Sequence, residues 1–127
     1  MRQNIASGAP WESIVGYSRA VRIGNVVEVA GTTAQDGDSV TGSTAYEQTR
    51  RALEKIADAL TQAGAALTDV VRTRIFTTDI RQWEEIGRAH GEFFAGIRPA
   101  ATMVEVRALI DAWLLVEIEA TAIISYP

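Results

Sequence analysis

The stretch RPAATMVEVRALIDAWLLVEIEA, residues 98–120, decides the fold that we predict for this chain. It contains one β-type run at 101–106 and the start of a second at 114–124, with a short polar break at Asp111 between them. Successive side chains of a strand point to opposite faces. One face of the second run therefore carries five apolar residues, Leu114, Val116, Ile118, Ala120 and Ala122. That face is predicted to lie in the core.

The opposite face of the second run mixes carboxylates with aliphatic and hydroxyl groups, Leu115, Glu117, Glu119, Thr121 and Ile123. An antiparallel sheet often leaves one face in water, and both glutamates would then be solvated. Alternatively, the neighbouring Leu115 covers Glu117, and a covered carboxylate in a concave place is a candidate acid or base. The sequence leaves both interpretations open.

Residues of this stretch resemble the C-terminal signature of the RidA/YjgF family, namely Pro99, Ala100, Val104, Leu109 and the tripeptide at 116–118. The resemblance covers almost the whole chain. It implies a small trimeric protein, and the best-known members of the family hydrolyse reactive enamines and imines and release ammonia. The chain departs from the motif at Ala101, where the family places an arginine directly after Pro-Ala. In the deaminating members that arginine forks onto the substrate carboxylate.

The resemblance also implies a set of pocket residues. Glu117 corresponds to the glutamate that positions or activates the attacking water, and it is the predicted catalytic residue. The predicted substrate-binding residues are Tyr17, Ala30, Gly31, His90, Ala101 and Met103. Ala30 stands where the family often has a serine, and Gly87 where it often has an asparagine. A tyrosine or a lone histidine is also common in ordinary packing, so the roles of Tyr17 and His90 stay open.

Two arginines, Arg72 and Arg74, offer a purely structural use for the glutamates. They lie two apart in the run 70–78, whose β-branched residues predict a strand. If that strand neighbours the one with Glu117 and Glu119, cross-strand ion pairs would occupy both carboxylates.

The rest of the chain predicts a hairpin and two helices. Strands at 17–23 and 26–31 flank the turn dipeptide at 24–25. A first helix begins at the capping box 44–47, carries the apolar stripe Leu53, Ile56, Ala57 and Leu60, and stops near Gly64. A second helix is predicted at 79–94, with Ile86, Ala89, Phe93, Trp83 and His90 on its inner side.

Two segments are predicted to lack regular structure. Residues 1–11 are expected to form an arm, because Gly8 and Pro10 disfavour a helix. Residues 32–42 are expected to form a polar loop with turn glycines. Asp36 and Asp38 in this loop are too few oxygen ligands for a calcium site.

The predicted order β-β-α-β-α-β-β fits an α+β sandwich, with one sheet and two helices packed on one of its faces. The other face mixes Met103, Leu115 and Ile123 with Glu117, and we expect it to pack against copies of the chain. The resemblance implies a chorismate-mutase-like homotrimer with a closed central barrel and three clefts between subunits.

The composition predicts a single domain spanning residues 1–127, with ordinary hydrophobic (47%) and charged (22%) content. A net charge of −4 leaves little to bind a phosphate backbone, so we expect no nucleic-acid partner. The ribonuclease label that some members of the family carry gains no support from this charge.

The residue types present also exclude several chemistries. The chain has no cysteine, which excludes disulfides, thiolate metal sites and a cysteine nucleophile. A single histidine excludes a histidine-rich zinc site, and we expect no metal and no cofactor. No apolar run is as long as a membrane span, and the N-terminus lacks the apolar core of a signal peptide. We therefore expect a cytoplasmic protein without a membrane partner.

Two functions remain open from the sequence. The first is hydrolysis of an imine, an enamine or a similar small molecule that is not anchored by the usual arginine, with poor activity on simple 2-imino acids. Arg98 is a candidate replacement anchor, although its side chain would point away if the strand began that early. The second is a non-catalytic trimer that binds a metabolite or serves as an interaction module.

Overall fold

A computed structural model describes residues 1–125 of the chain. The strands are β1 (Arg2–Ile5), β2 (Ala20–Ile23), β3 (Val26–Thr32), β4 (Gln35–Asp36), β5 (Ser39–Val40), β6 (Val70–Thr77), β7 (Ala100–Glu105) and β8 (Val116–Ile123). The helices are α1 (Pro10–Val15), α2 (Ala45–Gln62) and α3 (Trp83–Phe94). Short 3₁₀ turns at Leu67–Asp69 and Ile80–Gln82 precede β6 and α3.

Six strands form one mixed sheet in the order β1-β2-β3-β8-β6-β7. Strands β6 and β7 run parallel, and the other neighbouring pairs in the described part of the chain are antiparallel. Helix α2 packs on β3 and β8 and also contacts α3. The predicted α+β fold, with two long helices on one face of one sheet, is confirmed. We call the face away from α2 and α3 the open face.

The central strand β8 supplies the middle of the core. Its residues Val116, Ile118, Ala120 and Ala122 are each 0% exposed. The predicted apolar face of this run is therefore confirmed, because alternation places all four side chains under the helices.

Helix α2 begins where the sequence predicts it. The Thr44 hydroxyl accepts a hydrogen bond from Glu47 N at 3.1 Å, and the Glu47 carboxylate accepts one from Thr44 N at 3.2 Å. This reciprocal capping box satisfies two backbone donors at the start of the helix. Leu53, Ile56 and Leu60 follow at helical spacing and are each 0% exposed.

The N-terminal segment is more structured than predicted. Residues 2–5 form the edge strand β1 against β2, with Ile5 buried. Pro10 opens α1 rather than preventing a helix, because the first helical position needs no N–H donor. The prediction of an unstructured arm was wrong.

The predicted loop at 32–42 contains the small hairpin β4–β5. Lys55 fastens it to α2 by donating to Thr33 O at 2.8 Å and Gln35 O at 2.6 Å. Lys55 itself is half-buried beneath the hairpin.

Helix α3 also departs from prediction in detail. A 3₁₀ turn occupies Ile80–Gln82, and the α-helix begins only at Trp83. Trp83, the first residue of α3, was predicted on the inner side but is 56% exposed. Phe94, rather than Phe93, is the aromatic ring enclosed in the core.

Candidate functional site

The open face of β8 carries two glutamates with different partners. Glu119 lies opposite Arg74 of β6, and their charged atoms are 3.6 Å apart. Arg72 instead donates to the Thr102 hydroxyl at 2.7 Å. Within residues 1–125 no ion pair joins Glu117 to Arg72 or Arg74. The predicted cross-strand pairing is therefore confirmed for Glu119 and wrong for Glu117.

The carboxylate of Glu117 lies directly against Gly31 of β3. A Cβ added at Gly31 would come within 2.0 Å of Glu117 Oε2, so any side chain there would displace the carboxylate. The pairing of β3 with β8 shifts register between Val29 and Thr32. A bulge of this kind re-aims neighbouring side chains, and here it brings Gly31 under the carboxylate.

Arg19 directly precedes β2 and lies next to Gly31. It is 9% exposed, and its Nη2 donates to Gly31 O at 2.8 Å. Its guanidinium carbon lies 5.7 Å from the centre of the Tyr17 ring. Sequence reasoning did not select Arg19 as a site residue. The available signal was its position two residues after Tyr17, on the same side of the predicted strand.

The electrostatics of the half-buried Glu117 follow from these neighbours. Burial raises the pKa of the Glu117 carboxyl, the positive charge of Arg19 opposes that rise, and the negative charge of Glu119 adds to it. The net pKa lies above the ordinary value, so this carboxylate takes up a proton more readily than a solvated glutamate.

The other predicted site residues lie on the helix side of the sheet. Thr73 of β6 pairs with Ala101 of the edge strand β7, and its hydroxyl is 2.9 Å from Nε2 of His90. Burial lowers the pKa of His90, and its ring packs against Phe94 with 4.7 Å between centres. We call His90, Ala101 and Met103 the edge group.

Met103 does not share a face with Glu117. It pairs with the buried Ile75 and packs against the core from the helix side. Leu115, directly before β8, also packs against the core. The predicted placement of Met103 on the open face was wrong, whereas Ile123 lies there, 42% exposed.

An open cavity of about 650 Å³ lies on the open face beside α1. Tyr17 and Ala30 line it, together with the Arg74–Glu119 pair. Glu117 is not among its lining residues, so the cavity and the Gly31–Glu117 contact are neighbouring features of one face.

A family model and a solved structure both match this chain. The family model described as endoribonuclease L-PSP matches residues 7–124. The crystal structure of Rv2704 from Mycobacterium tuberculosis, a member of the YjgF/YER057c/UK114 family, superposes with a TM-score of 0.92 and 55% identity, covering 98% of this chain and 100% of that one. The chain belongs to the RidA/YjgF family.

Two similar proteins of the RidA/YjgF family have named activities. The chain is 35% identical to 3-aminoacrylate deaminase RutC of Acinetobacter baylyi, over 84% of this chain and 85% of that protein. It is 30% identical to 2-iminobutanoate/2-iminopropanoate deaminase of Rattus norvegicus, over 97% of this chain and 90% of that protein. The predicted family membership is confirmed.

The RidA/YjgF site residues predicted from the sequence fall into two groups in one protomer. Tyr17, Ala30, Gly31 and Glu117, which we call the Glu117 group, are connected through Arg19 and the bulge of β3. The edge group lies on the opposite face, on and behind β7, which is separated from β8 by β6. One protomer therefore does not bring the two groups together.

Two further features are absent from the described residues. Across residues 1–125, no three histidine or carboxylate side chains lie close enough to hold a metal ion. No helix in the same range combines the length and the apolar character needed to cross a membrane.

Proposed function

We propose that this protein hydrolyses an imine or enamine in clefts between the subunits of a RidA-like homotrimer in the cytoplasm. The observation that carries the proposal is the Glu117 carboxylate, which is half-buried, lacks an ion-pair partner within residues 1–125 and lies against Gly31. An uncommitted carboxylate in partial cover is suited to general acid–base chemistry. The named activities of the two deaminase relatives support the same reaction class.

In the proposed reaction, Glu117 takes a proton from a water molecule as that water attacks the carbon of the C=N bond. Glu117 passes that proton to the imine nitrogen, which gives a neutral carbinolamine. The carbinolamine collapses when its hydroxyl proton is carried by Glu117 to the nitrogen and the C–N bond breaks, so that one water is consumed and one carbonyl compound and one ammonia are released. A raised pKa brings Glu117 closer to neutrality, where it accepts and returns the proton efficiently.

The proposed trimer would join the two groups of predicted site residues. The Glu117 group and the edge group lie on opposite sides of the sheet within one protomer. The open face also exposes an apolar patch where Ile23, Val26 and Ile123 meet on three adjacent strands. Covering such a patch with a second copy would bury apolar surface. The expected solution mass is three times the 13.8 kDa chain.

The proposed substrate is not anchored at Ala101. A methyl group there replaces the bidentate arginine that the family resemblance places at this position. Losing one partner of a buried charged contact costs about 2–5 kcal/mol. We therefore expect poor activity on simple 2-imino acids that depend on that anchor. The net charge of −4 supports the expectation that nucleic acid is not the substrate.

Ammonia release from freshly generated 2-aminoacrylate and from a panel of imines tests the proposal. Glu117→Gln should lower the rate by about 10²–10⁴-fold, the usual contribution of a general base. Glu119→Gln, two residues along the same face, serves as the matched control and should keep most of the rate. Ala101→Arg should raise the rate on 2-aminoacrylate.

Absence of ammonia release from the wild-type protein and from Ala101→Arg would overturn the deaminase proposal. An unchanged rate in Glu117→Gln would remove Glu117 from the chemistry. A protein that binds panel compounds without turnover would instead match the second function, a metabolite-binding trimer.

A further inference from the structure

Arg19 is the cation of the Glu117 neighbourhood, and most of its donors are unused. A guanidinium carries five N–H groups. In this structure one of them, on Nη2, donates to Gly31 O at 2.8 Å. Nε is enclosed by protein and has no hydrogen-bond partner among residues 1–125. A charged side chain that is only 9% exposed normally has its donors matched more fully.

The charges around Arg19 leave it without a direct counter-ion. Within the described residues, no ion pair joins Arg19 to a carboxylate. The electrostatic influence of Arg19 reaches Glu117 on one side and Lys55, a second cation, on the other. Lys55 has Asp36 as its own counter-ion at 3.9 Å, so the charge left without one is that of Arg19, which makes this place receptive to a negative group.

The outer edge of the guanidinium remains available. Neither Nε nor Nη1 donates to a residue in the range 1–125. Nε is enclosed by protein, whereas Nη1 is not. Nη1 therefore reaches the surface of the protomer. Nη1 and the Nη2 hydrogen that Gly31 does not use are the donors left for the oxygens of a carboxylate.

We propose that Arg19 binds the carboxylate of the substrate, in the role that the family resemblance assigns to the arginine missing at Ala101. This assignment rests on the proposed function. It names the substrate class as a small imine or enamine whose carboxylate reaches Arg19 beside Gly31 rather than the edge strand at Ala101, so 2-imino acids that need an anchor at Ala101 remain poor substrates. The C=N carbon then lies toward Glu117, which meets Arg19 at Gly31. Anchor and base come from the same subunit in this arrangement.

The test uses 2-oxobutanoate, an unreactive carboxylate, and its primary amide, titrated calorimetrically into the full-length protein. Wild type should bind the carboxylate at least tenfold more tightly than the amide. Arg19→Gln should weaken carboxylate binding at least tenfold and leave amide binding unchanged. Arg19→Lys, which keeps the charge but loses the planar fork, should recover part of the affinity.

Arg81→Gln is the matched control, because Arg81 is a surface guanidinium paired with Asp79 at 2.9 Å. It should bind both compounds as wild type does. Thermal melting of each variant shows whether Arg19 is also needed for folding. If Arg19→Gln does not fold, the carboxylate–amide comparison in wild type and the Arg19→Lys titration still decide the assignment.

Three results would overturn the assignment. They are equal binding of carboxylate and amide by wild type, undiminished carboxylate binding by Arg19→Gln, and no binding of 2-oxobutanoate at all. Binding that depends on Arg19 without any ammonia release would overturn the proposed function while leaving the carboxylate site in place. Ammonia release without Arg19-dependent binding would overturn the Arg19 assignment alone.

Discussion

The two faces of strand β8 share one backbone and differ in nearly every other respect. On the helix side, Val116, Ile118, Ala120 and Ala122 are wholly enclosed. On the open face, Glu117, Glu119 and Thr121 are half-buried and Ile123 is exposed. The helix side of the strand fills space within the protomer. On the open face, Glu119 and Thr121 have partners within the protomer, whereas Glu117 has no ion-pair partner among residues 1–125.

The two glutamates lie on the same face of β8 but have different neighbours. Glu119 lies opposite Arg74 and is paired with it, whereas Glu117 lies opposite Phe76 and turns toward Gly31. The bulge of β3 accounts for this difference, because it places a residue without a side chain next to one glutamate only.

The largest effect should come from trimming the enclosed face. Ile118→Ala would leave a cavity at a site that is 0% exposed, and we expect a loss of about 2–5 kcal/mol in the free energy of unfolding. Ile123→Ala on the exposed side should cost less than about 1 kcal/mol in the isolated protomer. Urea denaturation at low protein concentration measures both. Equal losses would mean that the open face is packed as tightly as the core.

A second substitution separates function from stability. Gly31→Ala places a methyl group 2.0 Å from Glu117 Oε2, and the flexible carboxylate end must move away. We expect about a 10²-fold loss of ammonia release, as for other small displacements of a catalytic group. Because the side chain can yield, the loss in stability should stay below about 1 kcal/mol.

Gly91→Ala provides the matched control for this substitution. Gly91 lies inside α3 with nothing within 4 Å of the added methyl group. Alanine favours a helix over glycine by about 1 kcal/mol, so this variant should be more stable and fully active. A Gly31→Ala protein that retained full activity would show that the position of the carboxylate is unimportant.

A third measurement follows stability against pH. Because the folded pKa of Glu117 is raised, holding it ionised costs stability. That cost is absent below the ordinary glutamate pKa of 4.5, grows as pH rises and is complete above the folded pKa. The stability gain of Glu117→Gln over wild type should therefore be near zero in acid and rise to a plateau.

Asp36 should show the opposite trend. Hydrogen bonding from Arg51 lowers its pKa to about 2, with desolvation opposing that change. Its ionised form therefore stabilises the fold above the ordinary aspartate pKa of 3.8, and this stabilisation is lost as pH falls toward 2. Asp36→Asn should lose stability at neutral pH by an amount that shrinks in acid. Parallel curves for the two variants would contradict both assignments.

The smallest effect belongs to the Arg74–Glu119 pair. Its side chains are 42% and 36% exposed, so water screens their attraction. A double-mutant cycle with Arg74→Gln and Glu119→Gln should give a coupling of about 0.2–1 kcal/mol that weakens in salt. A coupling of several kcal/mol would show that the open face is buried in solution.

Features that depend on local periodicity were predictable from the sequence. Two such features can be recognised from a few consecutive residues. They are the alternation from Leu114 to Ala122, which predicts a strand, and the capping box at Thr44 and Glu47, which predicts a helix start. The family resemblance contributed Glu117 and Gly31 as members of one predicted site, and their direct contact became visible only in the structure.

Features that depend on distant contacts were not predictable in this way. The segment Arg2–Ile5 has no alternating pattern and is a strand because β2 pairs with it. The face on which Met103 lies depends on the register of β7 against β6. The unused donors of Arg19 become visible only when the positions of Gly31 and Glu117 are known.

The polar outer strand β1 sets a limit on how the molecule can assemble. A free sheet edge is a template for further strands and hence for fibril growth, and charged or amide side chains discourage such additions. Arg2 and Asn4 occupy this edge and are held together by a 2.9 Å hydrogen bond. Sideways extension of the sheet at β1 is thereby disfavoured, which lowers the tendency of this edge to start a fibril.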